Sequence, residues 1–250
     1  MLSISEVYQL LLDELRVDKR GLASDPDEFS RIARLTNQEI YNEYIAGFET
    51  NIENIDSLGW YKVHNYGINL TIGVGTMPSD YERIIGKPRS LVDTDYIITD
   101  LVTEFEYGSR QDDYLTQATL VHPICRIGGI NATSELQIRV TPTTITEIRV
   151  DYLKTLVTPF LDWYVNDTTE VVTFLDESVV AQAIPAGCTY RDGTAGGVGV
   201  TVASQTRDFR WHENDLSLLL TKLVNRAAKQ LSDSLLIETS NAEQAKSDNK

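Results

Sequence analysis

The hydrophobic period of this chain changes twice, and those two changes limit what it can fold into. Apolar side chains recur at helical spacing near the N-terminus, alternate in strand fashion from Trp60 to about Thr206, and return to helical spacing after residue 213. The last segment sets the hardest condition. Leu216, Leu219, Leu220, Leu223, Val224, Ala227, Ala228, Leu231 and Leu235 make one apolar face, while Lys222, Arg226 and Lys229 lie away from it. Such a stripe cannot bury itself and needs a partner surface. The nearest candidates are the helices at the other end of the chain.

Two helices are predicted there. Ser3 with Glu6 three residues on has the form of a capping box, and Ile4, Val7, Tyr8, Leu11 and Leu15 follow at helical spacing, giving a helix over 3–17. Gly21 can supply the left-handed residue that ends it. A second helix starts with Pro26 at its first position, with Asp27 and Glu28 at the positive end of the dipole. Its stripe begins at Phe29 and Ile32, and it is expected to run to about Ile52. Residues 239–250 are polar and are expected to be disordered.

Between the helical ends, short runs of β-branched and aromatic residues alternate with polar ones, punctuated by Gly, Pro, Asn and Asp. Strands are predicted at 60–66, 68–74, 95–107, 118–127, 135–140, 145–153, 160–165, 169–175, 178–184 and 198–205. Pro142 marks the turn between two of them. Many short strands without intervening helices point to an antiparallel sandwich or barrel. The expected architecture is α+β. Helices over 1–56 and 213–238 pack together as a small bundle, an all-β insert spans 57–212, and a tail follows from 239.

The chain has 250 residues, of which 42% are hydrophobic, enough for a sizeable core. No apolar run is long enough to span a bilayer, and no basic region opens the chain as a secretory signal would, so it is expected to stay where it is made. Cys125 and Cys188 fit neither a disulfide framework nor a metal knuckle and are expected to be free thiols, buried or semi-buried. The net charge is −15 with no basic cluster, which disfavours gripping nucleic acid or an anionic membrane.

A search for chemistry is largely negative. His64, His122 and His212 are scattered along the chain, and a zinc site built on them is unsupported. The glycine-rich run of Gly193, Gly196, Gly197 and Gly199 lacks the lysine of a phosphate loop and leads into a strand-like segment. It is expected to be a hairpin tip, or a loop that orders against a neighbouring subunit. Glu104 and Glu106, placed two apart on a predicted strand, would share a solvated face. No catalytic, cofactor-binding or metal-binding residue is assigned, and no cofactor is expected. The aromatic pairs Trp60-Tyr61 and Trp163-Tyr164, with Phe209 and Trp211, could serve as a stacking platform, although core packing is their commoner use.

Three stretches resemble the ring, or head-to-tail connector, proteins of crAss-like tailed bacteriophages. Asp18-Lys19-Arg20-Gly21, leading through Pro26 to Phe29, is similar to the family's Asn/Asp-Lys-x-x-Gly followed by Pro-x-x-Phe-Asn, with Gly21 one residue earlier than in that pattern and Ser30 in the Asn position. Tyr152-Leu153-Lys154 with Pro159 resembles a Tyr-Leu-Lys/Arg-x-Pro-x-x-Pro strand end, with Leu156 in place of the first proline. Asp208-Phe209-Arg210-Trp211 is similar to an Asp-Phe-Glu-Trp segment, with Arg210 departing from the acidic residue.

The resemblance implies a virion protein without catalytic activity. It would form a homo-oligomeric ring, twelvefold in the family reading, at the head–tail junction and be assembled in the bacterial host cytoplasm. Its partners would be the portal protein, neighbouring tail ring proteins, and genomic DNA passing through the lumen without specific binding; no membrane is involved. In this reading Gly21, Pro26, Phe29, Tyr152, Lys154, Pro159, Asp208 and Trp211 are packing and turn residues. Two other readings are a carbohydrate-binding or depolymerising phage tail component and a cytosolic binding module.

Overall fold

The computed structural model describes residues 1–15, 26–47, 56–113, 115–131 and 133–229. Gly21, the second helix beyond residue 47, the last helix beyond 229 and the predicted tail lie outside these residues. The fold is α+β, with helices and several antiparallel sheets. The chain divides into two compact units, one made of Met1–Trp60 with Leu156–Lys250, the other of Tyr61–Thr155. This differs from an insert over 57–212: residues 156–212 belong to the unit that contains both chain ends.

The first unit begins with α1 (Ile4–Leu15) and α2 (Pro26–Ala46). The buried face of α2 includes Pro26, Phe29, Ile32, Ala33, Ile40 and Tyr41, at the helical spacing the sequence displays. Tyr8 on α1 meets Phe29 at 4.9 Å between ring centroids.

The second unit holds β1 (Lys62–Asn69), β2 (Val74–Thr76), β3 (Tyr81–Val92), β4 (Asp95–Ile98), β5 (Asp100–Leu101), α3 (Glu104–Asp112), β6 (Ile124–Ile130), β7 (Leu136–Thr141) and β8 (Glu147–Lys154). One sheet runs β1-β8-β3-β4 and the other β2-β7-β6-β5. All pairings are antiparallel except β5 with β6. Ile68, Ile148, Val150 and Tyr152 from the first sheet share one buried cluster with Cys125, Ile138 and Val140 from the second. The other face of the second sheet carries α3, where Val102, Tyr107 and Ile124 form a smaller buried group. Each sheet has free edges, so no barrel closes among the described residues.

Three expectations fail here for local reasons. Residues 104–107 were expected in a strand but open α3, whose first amide groups are capped when the Thr103 hydroxyl accepts from the Glu106 amide. Residues 81–92 form a twelve-residue strand where none was expected. Gly86 sits at φ +68° there, and the register slips between Ile85 and Arg89, which breaks the alternation. The two strands expected at 60–66 and 68–74 are mostly one, β1, with a register shift between Val63 and Tyr66.

The chain returns to the first unit with β9 (Asp162–Asn166), β10 (Val172–Leu175), β11 (Gln182–Ala183), β12 (Cys188–Tyr190) and β13 (Thr201–Val202). They form a three-stranded sheet, β10-β9-β12, and a two-stranded one, β11-β13. The strands expected at 178–184 and 198–205 shrink to two residues each. A final helix, α4, spans 216–229 of the described residues. Leu219 and Leu223 are fully buried and Ala227 nearly so, which is the burial the apolar stripe demanded.

Candidate functional site

Most of the residues singled out by sequence are gathered in the first unit, where they join distant parts of the chain. Trp211 is fully buried and donates its indole Nε1–H to Asn37 Oδ1 at 2.7 Å. Asn37 Nδ2 donates onward to the Val157 carbonyl at 2.9 Å. Tyr44 packs edge-on to Trp211 at 5.4 Å. The Tyr44 hydroxyl and the Ser57 hydroxyl both donate to Asp215 Oδ1, at 2.8 and 2.9 Å. Burial, followed by this hydrogen bond to a carboxylate, pushes the Tyr44 phenol up to about 12.

The N-terminus of the chain is held to the same segment. Leu2 and Phe209 form a two-bond antiparallel bridge. Asp208 Oδ1 accepts from the Ile4 amide at 2.9 Å, placing a carboxylate at the positive end of α1. The Ser3 hydroxyl instead pairs with the Ser5 hydroxyl at 2.9 Å. On α4, Lys222 Nζ donates to Glu39 and Glu43 of α2 at 2.8 and 2.7 Å, and Arg226 donates to Glu39 at 2.6 Å. Arg210, which departs from the acidic residue of the family pattern, pairs with Glu177.

A second polar knot in the same unit was missed by sequence reasoning. Asp162 is fully buried. It accepts from Tyr190 Oη at 2.7 Å, Arg191 Nε at 2.8 Å, the Gln205 amide at 2.9 Å and the Trp163 amide at 3.1 Å. Four donors satisfy a carboxylate that would otherwise be costly to bury. Arg191 also lies over the Phe160 ring at 4.6 Å. Desolvation and then the Asp162 carboxylate hold the Tyr190 phenol above its ordinary value.

The glycine-rich run starts in a hairpin turn: Thr189 and Ala195 bridge antiparallel, the Tyr190 amide donates to the Thr194 carbonyl, and Gly193 lies between them. The amides of Gly196 and Gly197 donate to the Cys188 and Ile184 carbonyls, and Gly193 donates to Tyr190. A side chain at Gly196 would run into the Pro185 carbonyl. Gly199 has φ +81° with open space around it. Pro159 is buried in the stretch leading to β9.

In the second unit, Tyr152 and Lys154 converge on one residue that the sequence did not advertise. Tyr152 Oη donates to Asp80 at 2.9 Å, and Lys154 Nζ lies 3.5 Å from the other Asp80 oxygen. The Asp80 carbonyl also accepts from the Thr155 amide at 2.7 Å. Glu104 and Glu106 do not share a strand face. They lie in the first turn of α3, where Glu104 pairs with Arg126 and Glu106 with Arg110.

The aromatic residues do not form one platform. Phe209 and Trp211 are core, and Trp163 turns its Nε1–H to Asp27 at 3.2 Å. Both cysteines are free and buried. Among the described residues no His, Cys, Asp and Glu side chains gather as a metal site requires, and no helix is long and apolar enough to cross a membrane. No protein-family model and no curated protein matches the chain.

Proposed function

We propose that this chain is a structural virion protein that forms an oligomeric ring between portal and tail and serves as a conduit for DNA. One observation carries the reading. Leu2, Ile4, Asn37, Glu39 and Glu43 from the start of the chain bond to Phe209, Asp208, Trp211, Lys222 and Arg226 near its end. The intervening segment, Tyr61–Thr155, makes its own compact unit. Terminal helices that pack as a small bundle, with an inserted β-sandwich, are the plan expected of a tail adaptor. That plan gives each subunit two separate surfaces for the heterologous contacts a closed ring requires.

The resemblance of Pro26–Phe29, Tyr152–Lys154 with Pro159, and Asp208–Trp211 to crAss-like phage ring proteins supports the same reading. In it these residues are packing residues, and Pro26, Phe29, Tyr152, Pro159 and Trp211 are all buried. The net charge of −15 suits a passage along which a phosphate backbone slides without sticking. Mass measurement of the purified chain, alone and with its portal protein, is the test. Assembly into a ring-sized oligomer is expected in at least one of the two. A chain that stays monomeric in both, or that turns over a defined glycan, ends the proposal.

A further inference from the structure

Arg126 on β6 and Arg139 on β7 are direct register partners, so both side chains rise from the same face of the sheet. Their neighbours alternate as the pleat requires: Cys125, Ile138 and Val140 enter the core on the opposite face. Like charges directly across a ladder are unfavourable. Burial, and then Arg139, depresses the pKa of Arg126, as expected of a cation placed beside another cation.

The two arginines line a cavity of about 370 Å³, walled by α3 through Tyr107 and Gln111 and by the turn at Gly73. Arg126 is only 12% exposed. Its Nη1 pairs with Glu104, and its guanidinium lies over the Tyr107 ring at 4.9 Å. Its Nε is buried and has no partner among the described residues. Together with Nη2, Nε is the edge that a two-oxygen acceptor meets side-on. Arg139 is exposed, and no ion pair to it occurs among the described residues. The cavity lining therefore holds two guanidinium groups against one carboxylate, Glu104, in a chain that is otherwise strongly acidic.

We propose that this cavity binds a small oxyanion, a carboxylate or a phosphate, between the guanidinium groups of Arg126 and Arg139. Both acceptors match the planar fork of arginine, and either would neutralise the facing pair. The site goes beyond the ring reading and does not depend on it, because every residue in it belongs to one unit of one chain.

The test uses the full chain at constant ionic strength, titrated separately with inorganic phosphate and with succinate. Thermal unfolding and the Arg126 Nε–H resonance are followed. At least one anion should shift that resonance saturably and raise the unfolding midpoint progressively, as mass action requires of a ligand that binds the folded state. Arg139→Gln, a change at an exposed position, should weaken the apparent Kd at least tenfold while leaving the anion-free protein no less stable. Glu104→Gln should tighten binding severalfold by removing the competing carboxylate. A response to phosphate alone, or to succinate alone, assigns the anion. If neither anion saturates, or if Arg139→Gln responds as the native chain does, the proposal fails.

Discussion

Trp211 and Asn37, 174 residues apart in sequence, share a buried hydrogen bond of 2.7 Å. The amide of Asn37 is spent in both directions, accepting from the indole and donating to Val157. Replacing Asn37 by Leu leaves a buried indole N–H and a carbonyl without partners. Each orphaned group costs about 1–3 kcal/mol. Urea unfolding of Asn37→Leu should show a midpoint lowered accordingly with an unchanged slope.

Asp162 should be the most sensitive single polar position in the first unit. Asp162→Asn keeps the shape but removes the charge that Arg191 faces and turns an acceptor into a donor opposite Tyr190 or the Gln205 amide. Breaking a buried ion pair from one side costs about 3–5 kcal/mol. Chemical denaturation should place Asp162→Asn well below Arg191→Gln, because the arginine side chain keeps 23% of its surface in water.

The contacts between α2 and α4 should weaken in acid. Hydrogen bonds from Lys222 and then Arg226 hold the Glu39 carboxyl below its usual value. A depressed carboxylate pKa contributes stability that is present above the unfolded pKa and is lost as pH falls through the folded one. The contribution should therefore vanish as pH drops below the ordinary glutamate range. Glu39 is 41% exposed, so the effect is small, under about 1 kcal/mol as for most exposed pairs. Glu39→Gln should flatten the acid limb of the pH–stability profile without moving the neutral plateau by more than that.

Cys125 should be inert in the folded chain. Burial, and then the charge of Asp100, pushes its thiol up to about 12, and the thiolate is the reactive form. Cys188 is buried as well. A colorimetric thiol reagent at pH 8 should label neither in the native protein and both after denaturation. Rapid labelling of Cys125 before unfolding would contradict the packing of β6, and of Cys188 the packing of β12.

The helical ends were legible because a stripe at 3.6-residue spacing has one meaning over three turns or more. Phe29, Ile32 and Ile40 on α2, and Leu219 and Leu223 on α4, are buried as their spacing requires. The β region was harder. Glu104-Phe105-Glu106-Tyr107 alternates like a strand, yet Thr103 with Glu106 three residues later is a helix start, and Glu106 with Arg110 is an i,i+4 pair. Those two signals were present in the sequence and outweigh the alternation. The strand from Tyr81 to Val92 carried no such signal, since Gly86 and Pro88 interrupt it and only its neighbours on both sides hold it in place. The Arg126–Arg139 pairing could not be seen from sequence, because it exists only through the register of two strands.

The pairing of β1 with β8 has a consequence for how such a chain diversifies. Lys62 and Leu153 are opposite one another, so the polypeptide enters and leaves the second unit at points about 5 Å apart, one strand spacing. A host that receives an insertion through so narrow a doorway need not rearrange its own path to accommodate it. Lengthening or shortening the segment between those two residues therefore leaves the chain on either side with the same two ends to join.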